Sequence, residues 1–456
     1  MFTESRHAWA GQVGSERTSV TRNLNRLFPR SGDTLSMWGA LFMGGTHVGP
    51  KNLSAMSAVL GDIVNISKTR QKKRRRPTAV DLYCGVGGMS LGFEQAGFDI
   101  IAAVDKEDTH INTYSKNFPQ TKTFRDDLSS VSADQIREGA GIGNTDVDVL
   151  FAGPPCQGFS LIGKRLKDDP RNSLLPDLAR LIGEMSPSYF VVENVAGIQL
   201  GSAKSFLEEF LARVTMAGYR IVEPICMLDA AAFGVPQRRR RVFVLGHKLG
   251  LQAPRYPEPI YSPGKNGDYT GPTVWDAIGD LPQIDKYSSL LSCGEYKGPL
   301  DKPSEYARVM RGESHDPGDK SHSRERNGHA LTGCMRSAHT DETVRRFRET
   351  KQGAYEEISR YYRLSKNGLA NTLRAGTGPA QGSFMAPRPI HPFQARCITV
   401  REAARLHSFP DWFQFHPTKW HAFRQIGNAV PPRLARAVAG AVRRALRASV
   451  ALQETA

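Results

Sequence analysis

Residues 78–97 read "TAVDLYCGVGGMSLGFEQAG", and this stretch decides the fold. Its first part is apolar and rich in β-branched residues, which is typical of a buried strand. Its last part has the pattern of a helix that ends at Gly97. A glycine-rich turn with glycines at 85, 87 and 88 lies between them. A strand that passes through such a turn into a helix predicts the first unit of a parallel α/β sheet.

The alternation of strands and helices continues outward from this stretch. Helices are predicted for "NSLLPDLARLIGEM" (172–185) and "SFLEEFLARVTMAG" (205–218). Strands are predicted for "DIIAAVD" (99–105), "DVDVLFAG" (146–153), "YFVVENV" (189–195), "YRIVEPICML" (219–228) and "RRVFVLG" (240–246). The pattern predicts an α/β fold with a doubly wound, mostly parallel sheet and helices on both faces.

This pattern stops near residue 248 and resumes near residue 396. Residues 248–395 are dominated by Gly, Pro, His, Ser and charged residues, which predicts a second, smaller and irregular domain. A capping box, Thr399 to Glu402, then predicts a new helix. The segment "PPRLARAVAGAVRRALRASV" (431–450) has the spacing of an amphipathic helix. We therefore expect a first domain over 77–247 and a C-terminal segment, 396–456, that packs back on it.

The chain is basic, with 456 residues, a net charge of +16 and a pI of about 9.7. Residues 1–76 hold 13 Lys/Arg against 4 Asp/Glu, and the other 380 residues hold 48 against 41. This first segment lacks periodicity and ends in "KTRQKKRRRP" (68–77), so it is predicted to be a disordered extension. Two interpretations stay open, a solvated linker and a non-specific contact with nucleic-acid phosphates.

The spacing of the cysteines and the length of the apolar runs indicate in which cellular compartment the protein works. Six cysteines include no CxxC pair and no zinc spacing, so we predict no metal site and a reducing cytoplasm. No run approaches the roughly 18 apolar residues of a membrane span. The sequence therefore predicts no membrane partner.

The glycine-rich turn predicts a ligand site. Asp105 ends the next strand, where an acid is placed to bind ribose hydroxyls. The glycine spacing is not the GxGxxG of pyrophosphate sites. A nucleoside-like ligand without phosphates fits better, and S-adenosylmethionine is the common one.

A second motif, "GPPCQGFS" (153–160), follows the strand that ends near residue 152. Pro154 and Pro155 stiffen the loop, and Cys156 comes directly after them. A nucleophilic cysteine needs a fixed direction of attack and thiolate character, so Cys156 is a candidate nucleophile. A buried structural thiol is the alternative.

Two further motifs supply an acid and arginines at the same edge. Glu193 ends an apolar strand, where partial desolvation raises the pKa of a carboxyl group and lets it donate a proton. In "QRRRR" (237–241), Arg239 and Arg241 are predicted to face one side and Arg238 and Arg240 the other.

Together these segments resemble the cytosine-C5 DNA methyltransferases, a family with a Rossmann-like catalytic domain. The resemblance covers about 77–246 and 396–445, and residues 248–395 occupy the place of the family's target-recognition domain. Five motifs occur in the family's order: "DLYCGVGG" (81–88), "GPPCQGFS", "ENV" (193–195), "QRRRR" and "QIGNAVPP" (425–432).

The resemblance implies a covalent mechanism on a flipped-out cytosine. Cys156 matches the nucleophile that adds to C6, and Glu193 matches the donor of a proton to N3. Arg241 matches the arginine that holds the base at O2, and Arg239 matches the arginine that supports the site. Gln157, Ser160 and Gln237 are implied to contact DNA.

The resemblance also implies S-adenosylmethionine as the cofactor. Asp105 takes the ribose, and Asp127 matches the acceptor of the adenine amino group, although Asp126 stays an alternative. The remaining implied cofactor contacts are Asp81, Tyr83, Gly85, Gly87, Gly88, Pro154, Asn428 and Val430.

The predicted activity is therefore sequence-specific methylation of double-stranded DNA at cytosine C5, by a monomer, in restriction-modification or epigenetic marking. Arg374 in "NTLRAGTG" (371–378) is the candidate for reading a guanine, and a plain surface turn is the alternative. Methylation of tRNA and a catalytically inactive DNA-binding regulator are the alternative functions. A cognate endonuclease acting separately is an expected partner.

Overall fold

A mixed eight-stranded sheet forms the centre of this computed structural model, which describes residues 75–155, 174–201, 203–262, 269–324, 330–376 and 388–455. The strand order is β3-β2-β1-β4-β5-β8-β6, and β7 also pairs with β8. The strands are β1 (Thr78–Leu82), β2 (Asp99–Asp105), β3 (Lys122–Arg125), β4 (Val149–Ala152), β5 (Tyr189–Asn194), β6 (Tyr219–Ile221), β7 (Cys226–Asp229) and β8 (Arg240–Lys248).

Strands β1 to β5 run parallel, whereas β8 pairs antiparallel with β5, β6 and β7. The predicted α/β fold is thereby confirmed. The prediction of one strand over 219–228 was wrong, because β6 and β7 are separate strands. Pro224 lies between them and has no N–H to donate to a ladder, so both short strands pair with β8 on either side of it.

Helices cover both faces of the sheet. The sequence analysis did not predict α2, β3 or α3. The helices are α1 (Gly88–Gln95), α2 (Asp108–Asn117), α3 (Ala133–Ala140), α4 (Leu174–Met185), α5 (Ala203–Met216), α6 (Val274–Ile278), α7 (Glu305–Arg311), α8 (Asp341–Glu349), α9 (Val400–Leu406), α10 (Lys419–Asn428) and α11 (Pro432–Thr455).

Strand β4 shows how the two faces are divided. Val149 and Phe151 pack with α1 and α11, whereas Leu150 and Ala152 pack with α3, α4 and α5. This alternation follows from the two-residue period of a strand. Because successive side chains point to opposite faces, one short apolar strand contributes to two separate cores.

The C-terminal helix α11 packs closely on α1. A Cβ atom added at Gly92 would lie 2.4 Å from the Cβ atom of Ala435, so the glycine permits the close approach of the two helices. The capping box predicted at the start of α9 is present, with Thr399 and Glu402 bonded reciprocally. In the described ranges, no helix is long and apolar enough to cross a membrane.

The region 274–376 shares a second core with α9 and α10. A buried ion network ties its start to α9, because Arg405 pairs with Asp280 at 3.2 Å and with Asp411 at 2.6 Å. Residues 76–456 form one compact unit. The region of irregular composition is therefore anchored to the segment that returns to the sheet.

Candidate active site

A cavity of about 360 Å³ opens at the carboxyl end of β1, β2, β4 and β5. The described chain brings most of the predicted site residues to it, from positions as far apart as 81 and 430. The predicted residues that line it are Asp81, Tyr83, Gly85, Gly88, Asp105, Asp127, Pro154, Glu193, Arg239, Arg241, Asn428 and Val430, with the alternative Asp126.

The glycine-rich turn forms one wall of the cavity. Tyr83 and Gly85 adopt φ values of 58° and 54°, and Gly87 has φ 89°. A Cβ atom at Gly88 would lie 2.5 Å from the carbonyl oxygen of Val430. Gly87 was predicted to contact the cofactor, but it is not among the residues that line the cavity. It packs against Phe118, whose ring atom Cε2 would lie 2.3 Å from a Cβ atom added at Gly87.

Asp105 holds this turn in place. Its Oδ2 atom accepts a hydrogen bond from the Gly85 amide at 2.9 Å, and its Oδ1 atom accepts from the Glu107 amide at 2.9 Å. The Nδ1 atom of His110 lies 3.2 Å from Oδ1. His110 was not predicted, because a histidine five residues after the acid follows no motif. The carboxylate thus links the turn to the start of α2.

Two neighbouring acids, Asp126 and Asp127, line the next part of the wall. Asp127 accepts hydrogen bonds from the Ser129 amide at 3.1 Å and the Ser129 hydroxyl at 2.9 Å. The backbone bond is the main reason that the pKa of Asp127 is lowered, and Lys106 contributes a smaller effect. Asp127 is therefore ionised at neutral pH. Both acids therefore line the cavity.

Asp81 is buried and lines the same cavity, near the glycine-rich turn. Its Oδ2 atom accepts a hydrogen bond from the Ser90 hydroxyl at 2.5 Å, and Ser90 in turn lies 2.7 Å from the Tyr114 hydroxyl. Burial raises the pKa of Asp81 well above its usual range. The site thus combines one acid whose pKa is raised by burial, Asp81, with one whose pKa is lowered, Asp127.

Glu193, at the end of β5, marks the other end of the cavity. Its Oε1 atom lies 2.8 Å from the Nε atom of Arg241 on the adjacent strand β8. Burial raises the pKa of Glu193, although Arg241 and Arg239 oppose the shift. The following residue, Asn194, donates from Nδ2 to the Pro154 carbonyl oxygen at 3.3 Å. The loop of Pro154 and Pro155 is thereby fixed beside the acid.

The arginines of the QRRRR motif alternate as predicted, since Arg239 is buried whereas Arg238 and Arg240 are exposed. Arg239 donates hydrogen bonds to the carbonyl oxygens of Leu373 at 3.0 Å, Gly427 at 2.8 Å and Ala429 at 2.9 Å. It therefore joins the residues just before β8 to residues 427–430, the segment that closes the cavity. This contact set makes Arg239 a positioning residue.

Gln237 differs from its predicted role in DNA contact, because its side chain is fully buried. Its Oε1 atom accepts from the Leu373 amide at 2.9 Å, and its Nε2 atom lies 3.0 Å from Nδ1 of His407. The Nε2 atom of His407 lies 3.0 Å from the Ala429 carbonyl oxygen. His407 was missed, because nothing in "RLHSF" (405–409) signals a partner 170 residues away.

The predicted residues Cys156, Gln157 and Ser160 lie outside the described residues. Pro155 is the last described residue before them, and it lines the cavity. Arg374 is exposed, and its segment packs against α10, where a Cβ atom at Gly427 would lie 2.5 Å from the Arg374 carbonyl carbon. Arg374 thus lies on the surface beside the segment that closes the cavity.

Comparisons with known proteins agree with this arrangement. The model of the C-5 cytosine-specific DNA methylase family matches residues 78–444. The type II methyltransferase M.XorII of Xanthomonas oryzae pv. oryzae is 48% identical over 82% of this chain and 86% of its own length. M.AgeI of Thalassovita gelatinovora is 34% identical over 80% of this chain and 99% of its own.

A solved structure agrees as well. A protein named as a DNA modification methyltransferase encoded within a prophage of E. coli superimposes with a TM-score of 0.65 at 32% identity, over 81% of this chain and 99% of its own. The family match spans the cavity residues from β1 to the start of α11. This chain therefore belongs to the C-5 cytosine-specific DNA methylases.

Proposed function

We propose that this protein is a sequence-specific DNA (cytosine-5-)-methyltransferase that acts through a covalent adduct of Cys156 with a flipped-out cytosine. The observation that carries the proposal is the ion pair of Glu193 with Arg241 at 2.8 Å, beside the loop that leads to Cys156. An acid with a raised pKa, an arginine and a cysteine nucleophile are the groups that activation of cytosine needs.

The chemistry explains each role. C5 of neutral cytosine is a weak nucleophile, so the Cys156 thiolate adds to C6 and forms a sulfur–carbon bond. The electron pair of the C5–C6 double bond then forms a C4–C5 double bond, as N3 takes the proton that Glu193 donates. Arg241 holds the base at O2 and also stabilises the carboxylate that Glu193 becomes. Once C5 carries the methyl group, its proton is lost to a base or to water and the N3 proton returns to the Glu193 carboxylate, so that the C5–C6 double bond is restored and the Cys156 thiolate leaves.

The cavity fits S-adenosylmethionine. Its glycine wall approaches Val430 so closely that a Cβ atom at Gly88 would fill the gap. Asp105 and Asp127 offer acceptors for ribose hydroxyls and an adenine amino group, and acidic walls suit a cationic ligand without phosphates. Tyr83 and Asn428 complete the binding set. When bound, the cofactor supplies the electrophilic methyl group that C5 accepts.

The names of the relatives, which are type II methyltransferases, support a role in DNA modification. We propose that the protein modifies DNA in the bacterial cytoplasm as a monomer, alongside an endonuclease that acts separately. Residues 248–395 select the target sequence. Support comes from the exposed Arg374, whose neighbour Leu373 is hydrogen-bonded to Gln237 just before β8.

The test is methyl transfer from labelled S-adenosylmethionine by the purified protein to double-stranded DNA and, separately, to tRNA. Bisulfite sequencing of DNA from an expressing host identifies the target site. Cys156→Ser should abolish transfer and retain cofactor binding, because the hydroxyl is not ionised near neutral pH. DNA with 5-fluorocytosine should trap the wild-type protein covalently, because fluorine cannot leave as the proton does.

Three results would overturn the proposal. Methylation of tRNA alone would establish the RNA enzyme. DNA binding with no transfer to either substrate would establish an inactive regulator. Transfer retained by Cys156→Ser would refute the covalent mechanism.

A further inference from the structure

An arginine-lined groove runs along α11, away from the candidate active site. Its volume is about 560 Å³. Among its described lining residues, one carboxylate, Asp316, faces six cationic side chains. These are Lys320, Arg433, Arg436, Arg443, Arg444 and Arg447.

The arginines form one row because of their spacing. Arg433, Arg436, Arg443 and Arg447 fall three, seven and four residues apart, which places them on one face of a helix. The fourteen helical steps from Arg433 to Arg447 span about 21 Å at 1.5 Å per residue. The opposite face is anchored in the core through residues such as Val438. The row is therefore long, straight and rigidly held.

The positive charge in the groove is poorly compensated. Asp316 pairs with Arg436 at 2.5 Å, which lowers the pKa of Asp316 to about 2. Among the described residues, no carboxylate lies within ion-pair distance of Arg444 or Arg447. The pKa of Lys320 is lowered, mainly by repulsion from Arg443. A bound polyanion would relieve this repulsion.

The groove lies toward the amino edge of the sheet, opposite the candidate active site. Arg443 donates a hydrogen bond to the Ala96 carbonyl oxygen at the end of α1. Arg76, where the basic run of the sequence ends, donates to the Lys320 carbonyl oxygen at 2.8 Å and to the Phe98 carbonyl oxygen at 2.8 Å. Positive charge is thus concentrated where the described chain begins.

We propose that this groove binds the sugar–phosphate backbone of DNA outside the catalytic cleft, as a second and sequence-independent contact. The length of the row matches about six phosphates of one strand at 3.4 Å each along the duplex axis. Guanidinium groups bind phosphates in bidentate fashion. That the polyanion is DNA rests on the proposed function. The physical basis for binding a polyanion is the poorly compensated row of arginines.

The test is a groove variant that carries Arg444→Gln and Arg447→Gln. These two side chains are exposed, so the fold should persist, as thermal unfolding will verify. Affinity for a 40-base-pair duplex without target sites is measured against KCl concentration. The slope of log affinity against log salt should become shallower by about 0.9 for each phosphate interaction that the substitutions remove, up to about 1.8 in total. Arg447→Gln alone should change it by about 0.9 and serves if the double variant is unstable.

A control variant removes the same charge elsewhere, through Lys204→Gln and Arg213→Gln. These exposed helical side chains already pair with glutamates four residues away. Its slope should equal that of the wild type. Equal slopes for the groove and control variants would overturn the proposal. Methylation of a short target duplex should be unchanged in both, and a wild type that binds DNA without methylating it would refute only the proposed function.

Discussion

The carboxylate of Glu193 and the guanidinium of Arg241 form an ion pair in which Oε1 and Nε are 2.8 Å apart. The two residues come from neighbouring antiparallel strands, β5 and β8. Burial raises the pKa of Glu193 more than the arginine lowers it. The acid therefore keeps its proton to higher pH than an exposed glutamate, and Arg241 is in place to stabilise the anion once the proton has left.

Glu193→Gln should lower the rate of methyl transfer by about 100-fold to 10 000-fold, the usual range for a general acid. Glutamine has the same shape but donates no acidic proton. Because the wild-type pKa is raised, the active protonated form is lost as pH rises through that pKa, and the rate falls with it. Single-turnover rates from pH 5 to pH 9 should show this falling limb in the wild type and not in the variant.

The control for Glu193→Gln is Glu209→Gln, which removes an exposed partner of Arg213 on α5. It should leave both the rate and the pH profile unchanged. A Glu193→Gln protein that retains more than a tenth of the wild-type rate would contradict the assignment of the acid.

Gly88→Ala should weaken cofactor binding and destabilise the fold by about 1–3 kcal/mol, the usual cost of overpacking. The new methyl group would lie 2.5 Å from the Val430 carbonyl oxygen and 3.0 Å from the Ala429 Cβ atom. The segment that closes the cavity would have to move. Equilibrium binding of S-adenosylmethionine and urea unfolding measure the two effects.

The matched control for this substitution is Gly183→Ala on α4. Its added Cβ atom meets nothing nearer than the Ala217 Cβ atom at 3.7 Å. Alanine in a helix interior should raise the free energy of unfolding by up to about 1 kcal/mol and leave cofactor affinity unchanged. Equal effects at the two glycines would show that the contact with Val430 is unimportant.

His407 should make the fold sensitive to acid. Burial lowers the pKa of His407 well below its usual value, and its ring bonds to Gln237 and Ala429. Below about pH 6.5 the imidazole of residue 407 takes up a proton in the unfolded chain, whereas in the folded protein it stays neutral to lower pH. Stability is therefore complete above that pH and falls as pH decreases, by at most about 1.4 kcal/mol per pH unit for this group.

His407→Gln should reduce the slope of unfolding free energy against pH between pH 5 and pH 6.5, as followed by urea unfolding. Its absolute stability should also be lower, because the hydrogen bonds are lost. His391 has its pKa lowered to about 4 by burial, so His391→Gln should remove a similar share of the slope. An unchanged slope in His407→Gln would contradict a neutral buried imidazole.

Exchange of residues 248–395 for the equivalent region of a relative should move methylation to the site that the relative recognises. The exchanged region must keep two hydrogen bonds to the residues just before β8, from the Arg238 amide to the Ala370 carbonyl oxygen at 2.9 Å and from the Leu373 amide to Gln237. Bisulfite sequencing reads the outcome. A chimera that methylates the original site would show that recognition lies elsewhere.

The sequence by itself determined the local units of this protein. The strand β1, its glycine turn and helix α1 follow from short-range patterns, and so does the capping box of Thr399 and Glu402. The edge at which Glu193 lies is also predictable, because parallel strands bring their carboxyl ends to one side of a sheet. These features depend on residues a few positions apart.

Only the tertiary structure decided the partners of the side chains between these units. Gln237 was expected at the DNA surface and is buried, because Leu373 and His407, more than 130 residues away, cover it. The ion pair of Glu193 with Arg241 and the convergence of Lys320 with the α11 arginines arise in the same way. Burial and electrostatic environment are set by which distant segments meet, and no local pattern in the sequence carries that information.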